Sequence, residues 1–207
     1  MSRVSELKAR RIIAETVMVD TITDRAGSST LNATIAELNA AADLSAQVAM
    51  APAAGFLGTG TIYKSSVTKE GEFIYTRIYI DLTGTKSTTT DRDIIGNTGA
   101  AYIGRITAAI NGTVVGGTMT CLEAPTTGVT DIDLYAATAA TGAYDADANA
   151  LAGAAALVSA GGAWTIGTTK GMTALPAADA YLYLANGAAG TIGTYDAGKF
   201  MLTFIGV

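Results

Sequence analysis

Few residues of this 207-residue chain could do chemistry, and their spacing decides what each would do. Gly193-Thr-Tyr-Asp-Ala-Gly198-Lys199 spells the first seven positions of a phosphate-binding loop, where backbone N–H groups and a lysine cradle phosphate oxygens. The eighth position, which needs a hydroxyl, is Phe200. Such a loop must also open a helix, whereas KFMLTFIGV from Lys199 reads as an apolar strand, so a hairpin turn is expected. Asp145, Asp147 and Asn149 match the opening of a calcium loop, but Ala150 stands where glycine is needed and Ala156 where a bidentate glutamate belongs. A solvated loop is expected there. Asp131 and Asp133 alternate with Ile132 and Leu134, which puts both carboxylates on one strand face. Such a pair can act as acid and base on glycosides, but only across a cleft, and nothing else in the sequence supplies the second wall. A solvent-facing strand is the expectation. Cys121, in TMTCLE, is expected to be a buried inert thiol.

The chain has no His and one Cys. Ser-His-Asp and Cys-His catalysis, His-ligated zinc and an internal disulfide are thereby excluded within one chain. No catalytic, metal or cofactor-binding residue is assigned, and the protein is expected not to be an enzyme. The tyrosines Tyr75, Tyr79, Tyr135, Tyr181 and Tyr183 are read as outward on their strands. Tyrosine there buries area while keeping a polar tip, which suits a subunit interface or a sugar-stacking surface.

Charge is uneven along the chain. The net charge of -5 resides in the second half, where Lys170 and Lys199 face seven acidic residues. The basic cluster Arg3, Lys8, Arg10 and Arg11 lies at the N-terminus; no basic face follows Arg105, so nucleic acid is not an expected partner. The uncharged runs 44–63 and 148–169 are long enough to span a bilayer but are rich in Gly, Ala, Ser and Thr, and membrane helices are not expected.

Four parts follow along the chain. Residues 1–29 form an arm in which helix and extended structure compete. Residues 30–45, TLNATIAELNAAADLS, place Leu31, Ile35 and Leu38 at helical spacing, with Thr34 and Glu37 as a capping box. That predicts a short helix whose apolar stripe must dock. Residues 46–60 have the Gly, Ala and Pro composition of a linker. From residue 61 the period becomes two: Ile74, Thr76, Ile78, Ile80 and Leu82 point one way, Phe73, Tyr75, Arg77, Tyr79 and Asp81 the other. Further strands are expected at 61–67, 101–110, 113–123, 130–137, 181–185 and 199–207, with Asn111-Gly112 as the strongest hairpin turn and a helical turn within 147–158. The expected fold is all-β, a β-sandwich or jelly-roll-like domain over 61–207 preceded by the arm and short helix.

The segments LNATIAELNAAADLS, TMTCLEAPTTGVTDIDLYAA, GGAWT and PAADAYLYLANGAAGTIGTYDAGKF, in that order, resemble small virion structural proteins of tailed bacteriophages. The resemblance implies a non-enzymatic capsid decoration or cement protein, located in the virion and usually a homotrimer, that binds the major capsid protein through its N-terminal arm and β-domain edges. Arg3, Lys8, Arg10 and Arg11 are then the candidate capsid contacts. Leu31, Ile35, Leu38, Tyr75 and Tyr79 are the candidate oligomer interface. The alternative is a phage fibre or spike module that binds host surface glycan with its exposed tyrosines.

Overall fold

A computed structural model describes residues 50–207 and two short strands, β1 (Ile22–Thr23) and β2 (Thr30–Leu31). The chain divides into two units, Met1–Ser45 and Ala46–Val207. In the first, β1 and β2 pair antiparallel, Ile22 opposite Leu31 and Thr23 opposite Thr30. This corrects the start of the helix expected over 30–45: Thr30 and Leu31 are extended, in keeping with the preference of β-branched Ile22, Thr23 and Thr30 for strands. Arg3, Lys8, Arg10, Arg11, Ile35, Leu38 and the Thr34 capping box lie outside the described residues.

In the second unit the alternation read from the sequence becomes a five-stranded antiparallel sheet. Its strands are β3 (Ile62–Glu70), β4 (Phe73–Asp81), β7 (Val114–Thr126), β10 (Thr169–Gly171) and β13 (Ala197–Gly206), in the order β10-β7-β13-β4-β3. On β4, Thr76, Ile78 and Ile80 are buried while Tyr75, Arg77 and Tyr79 are half-buried on the other face. β13 repeats the pattern in register: Phe200, Leu202 and Phe204 lie opposite Ile80, Ile78 and Thr76. β3 and β4 join through the two-residue turn Gly71-Glu72, with Gly71 at φ +65°, the left-handed conformation that tight hairpins require.

Four more strands make the second sheet: β6 (Gly104–Arg105), β8 (Ile132–Ala137), β9 (Ala155–Val158) and β11 (Tyr181–Asn186), ordered β6-β11-β8-β9. A separate short pair joins β5 (Lys86–Ser87) to β12 (Gly193–Thr194). Ile78, Ile80, Leu82, Met119, Phe200 and Leu202 of the first sheet and its margin belong to one hydrophobic core with Leu134, Val158, Leu182 and Leu184 of the second. Trp164 bridges them, its ring edge-on to Phe200 at 5.4 Å and its Nε1 donating to the Ile132 carbonyl at 2.8 Å. The domain is therefore an all-β, two-sheet antiparallel structure of sandwich type. Among the described residues, no helix is long and apolar enough to cross a membrane.

Two segments of this unit depart from the sequence reading in their backbone role. Residues 50–60 are not a linker. Phe56 is fully buried, Met50 and Ala53 nearly so, and the Gly55 carbonyl accepts from Asn97 N at 2.7 Å and Thr98 N at 3.0 Å. A Cβ on Gly55 or Gly58 would strike the backbone of Ala100 or Gly84, so close backbone packing, not flexibility, accounts for the small residues here. Secondly, Asn111-Gly112 is not a hairpin turn but the end of a one-turn helix, α1 (Ala108–Asn111). The Asn111 side chain is buried: Oδ1 accepts from Thr107 N at 2.8 Å, and Nδ2 donates to Thr76 Oγ1 at 2.8 Å. The strand expected over 101–110 accordingly shrinks to β6. The helical turn expected within 147–158 is a 3-10 turn at Ala148–Ala150, followed by β9.

Candidate functional site

The face of the five-stranded sheet that points away from the core gathers the side chains best placed for contact. Cross-strand register sets Lys64, Tyr79, Met201 and Thr120 in one row, Ser66, Arg77, Thr203 and Thr118 in the next, and Thr68, Tyr75 and Ile205 in a third. Tyr75 and Tyr79 thus share one face, as expected. The reason is local: period-two alternation gives β13 an apolar core face and β4 one interrupted only by Thr76, each backed by an amphipathic face. Ile62 and Phe73, at the two ends of the β3–β4 pair, are 45% and 46% exposed.

Arg77 and Lys199 on this face are held in place. The Arg77 guanidinium lies 5.2 Å from the Tyr75 ring centroid, donates to Thr68 Oγ1 at 3.2 Å and sits 3.9 Å from Glu70. Lys199 bridges Glu123 at 2.8 Å and Asp81 at 3.8 Å. Its hydrogen bond to Glu123 lowers that carboxyl below the usual range and raises the Lys199 ammonium. A shallow depression lies between β3 and β4, lined by Lys64, Ser66, Arg77, Tyr79 and Met201. Aromatic and aliphatic bodies with tethered polar tips suit a face that meets another macromolecule.

Asp131, just before β8, and Asp133, within it, do converge on one side, but that side is not the solvent-facing one expected: Asp131 is half-buried and Asp133 buried. Asp133 is buried; its Oδ1 accepts from Ala160 N at 2.7 Å and its Oδ2 from Ser159 Oγ at 3.3 Å. Asp131 Oδ1 is buried with no hydrogen-bond partner. A Cβ on Gly187 would collide with Oδ1 of both aspartates, so the two carboxyls converge over that glycine. Burial pushes both above the usual carboxylate range; the Gly162 and Ala160 backbone amides oppose this, and Asp91 adds to it. The pair anchors the loop after β9 rather than lining a cleft. The missed signal is that β8 is buried along its whole length, so its alternation does not separate core from solvent.

The remaining motifs settle into structural roles. In Gly193–Lys199, β12 runs into β13 with no helix between, and Tyr195 is buried with its hydroxyl donating to the Val129 carbonyl at 2.7 Å. Asp147 Oδ1 caps the 3-10 turn by accepting from Asn149 N at 2.8 Å. Cys121 is fully buried, and burial pushes its thiol up. Tyr135 and Tyr183 are core residues, which corrects their reading as outward; the Tyr183 hydroxyl donates to the Ala139 carbonyl at 2.6 Å. Tyr181 is half-buried and pairs with Tyr102, ring centroids 4.9 Å apart. Arg105 lies 5.3 Å from the Tyr181 ring centroid and 3.0 Å from Asp179, and Met50, Thr107 and Ile110 complete a second depression there. Tyr102 was not singled out in the sequence; its alternation with buried Ala101 and Ile103 was the available signal.

No family model matches the chain, and no curated protein or solved structure does.

Proposed function

We propose that this chain is a non-enzymatic phage virion structural protein, a capsid decoration or cement protein whose partner is the major capsid protein. The observation that carries the reading is the outer face of the five-stranded sheet: a row-ordered surface of Tyr75, Tyr79, Met201 and Ile205 among threonines and tethered ion pairs. Tyrosine and methionine are enriched in interface cores, and complementary charge steers and orients partners. In this reading the tyrosine face joins copies into a homotrimer, and Arg3, Lys8, Arg10 and Arg11 supply most of the attraction to an acidic shell.

The test uses the full chain and empty shells assembled from the major capsid protein of the same phage. Replacing Arg3, Lys8, Arg10 and Arg11 together by Ala should abolish co-sedimentation with shells while leaving the mass in solution unchanged, and rising salt should weaken wild-type binding. Replacing Tyr75 and Tyr79 by Ser should lower the mass. A wild-type chain that ignores shells sinks the reading.

A second reading, a fibre or spike module for host glycan, is favoured by the Tyr102–Tyr181 pair beside Arg105 and Asp179. Aromatic faces next to a charged hydrogen-bonding pair are what sugar rings stack on and bond to. Glycan-array binding that is lost with Tyr102→Ala would select it.

A further inference from the structure

The sheet edges are not left alike. β10 spans three residues and β6 two, while β9 spans four and has its outer side closed by Thr173, whose N–H donates to the Leu157 carbonyl at 2.8 Å. β3 is different. It runs nine residues, pairs with β4 without a register shift and contains no proline. Among the described residues, no backbone hydrogen bond of Ile62–Glu70 leads anywhere but to β4; only the Ser65 hydroxyl reaches outside the sheet, donating to the Met50 carbonyl at 2.8 Å. Alternate N–H and C=O groups along the strand therefore point outward with no backbone partner among the described residues, a template for another strand.

The charges on that edge select its partner. Lysines alone would guard an edge against pairing, but β3 carries Lys64 and Glu70 on the same face, six positions apart. Laid antiparallel against a second β3 about a two-fold axis through Val67, each Lys64 falls opposite the other copy's Glu70, and Ser66 falls opposite Thr68. Moving the axis one residue to Ser66 sets Glu70 against Ile62 and Lys64 against Thr68, and the charge match is lost. Opposite charges directly across a ladder stabilise it and like charges oppose it.

We infer that β3 is a self-pairing edge: two copies of this chain join β3 to β3, antiparallel about Val67, into one ten-stranded sheet. The occupant is a second copy because the strand's charge pattern complements itself in that register. The contact uses the strand's edge, leaving the tyrosine face free, and it stands whether or not the chain binds capsids.

The experiment uses the full chain and no capsid. Sedimentation across a concentration series should show two-fold self-association of the wild-type unit. Lys64→Glu and Glu70→Lys should each weaken it about tenfold, and the double swap K64E/E70K should restore it. Both side chains are exposed, so these variants fold. In addition, Val67→Cys should form a covalent dimer on mild oxidation, because directly opposed Cα atoms about 5 Å apart are within disulfide reach. Ser66→Cys, opposite Thr68 in this register, should not. Association that neither single swap weakens, Val67→Cys cross-linking no faster than Ser66→Cys, or a wild-type chain that does not self-associate would overturn the inference.

Discussion

At Asp131 and Asp133 burial works against charge, and the consequence is a pH dependence of definite sign. Both carboxyls titrate higher in the folded chain than in the unfolded one, chiefly through desolvation. Their contribution to stability is therefore fully present below the unfolded aspartate value of about 3.9 and is lost as pH rises through the raised folded values. At neutral pH the converging charges destabilise the fold. Asp131→Asn keeps the shape, removes the charge and offers an N–H to the Asp133 oxygen, so it should raise the melting temperature at neutral pH and lose that advantage as pH falls toward 4. Thermal melts at the two pH values check this; a variant that melts lower at neutral pH would mean that the Gly162 contact outweighs the cost of burial. Glu123 has the opposite sign. Its carboxyl is held low by Lys199, so the stability it adds is present above the unfolded value and lost as pH falls. Because the pair is partly open to solvent, Glu123→Gln should lower the melting temperature only slightly at neutral pH, and less still in high salt.

Among the elements, residues 50–60 show where composition misleads. Ala, Gly and Pro mark a linker when nothing presses on the backbone, but here carbonyls of neighbouring segments approach Gly55 and Gly58 closely. Phe56→Ala should cost about 3–5 kcal/mol in denaturant unfolding, an effect no linker residue would have. A chain starting at Gly55, which lacks Met50 and Ala53, should melt lower than one starting at Ala46. The alternation in β4 and β13 was legible because each strand has one core face and one half-solvated face. That same rule failed for Tyr135 and Tyr183, since β8 is buried on both faces and β11 nearly so. Asn111-Gly112 was misread for a related reason: a left-handed glycine serves a hairpin turn and a helix end equally well, and only the buried contact from Asn111 to Thr76 decides between them. Of the candidate site, Tyr75 and Tyr79 were visible from period alone, whereas the row partners Met201 and Thr203 needed the register of β13, a pairing between segments more than a hundred residues apart.

That long-range pairing governs the molecule as a whole. β13, the C-terminal strand, is the middle strand of the five-stranded sheet, flanked by β4 on one side and β7 on the other. Neither neighbour can complete its ladder until Ala197–Gly206 is in place, and the loop closed by the β13–β4 pairing spans most of the domain. A chain ending at Asp196 should therefore lack the native fold: β4 and β7 would each expose an apolar face and an open edge, and dye binding to hydrophobic surface should rise while cooperative unfolding disappears. The intact chain should refold slowly, on the millisecond-to-second scale typical of sheets dominated by non-local pairing. Leu202→Ala tests the same point gently. Leu202 is fully buried and lies opposite Ile78 and Met119, so truncation should cost about 2–5 kcal/mol. If docking of β13 limits the rate, part of that loss will appear as slower folding; if the sheet forms first around β3 and β4, it will appear almost wholly as faster unfolding. Stopped-flow folding and unfolding rates of the two proteins separate these outcomes. Slower folding would make the central strand the step on which the domain's assembly depends.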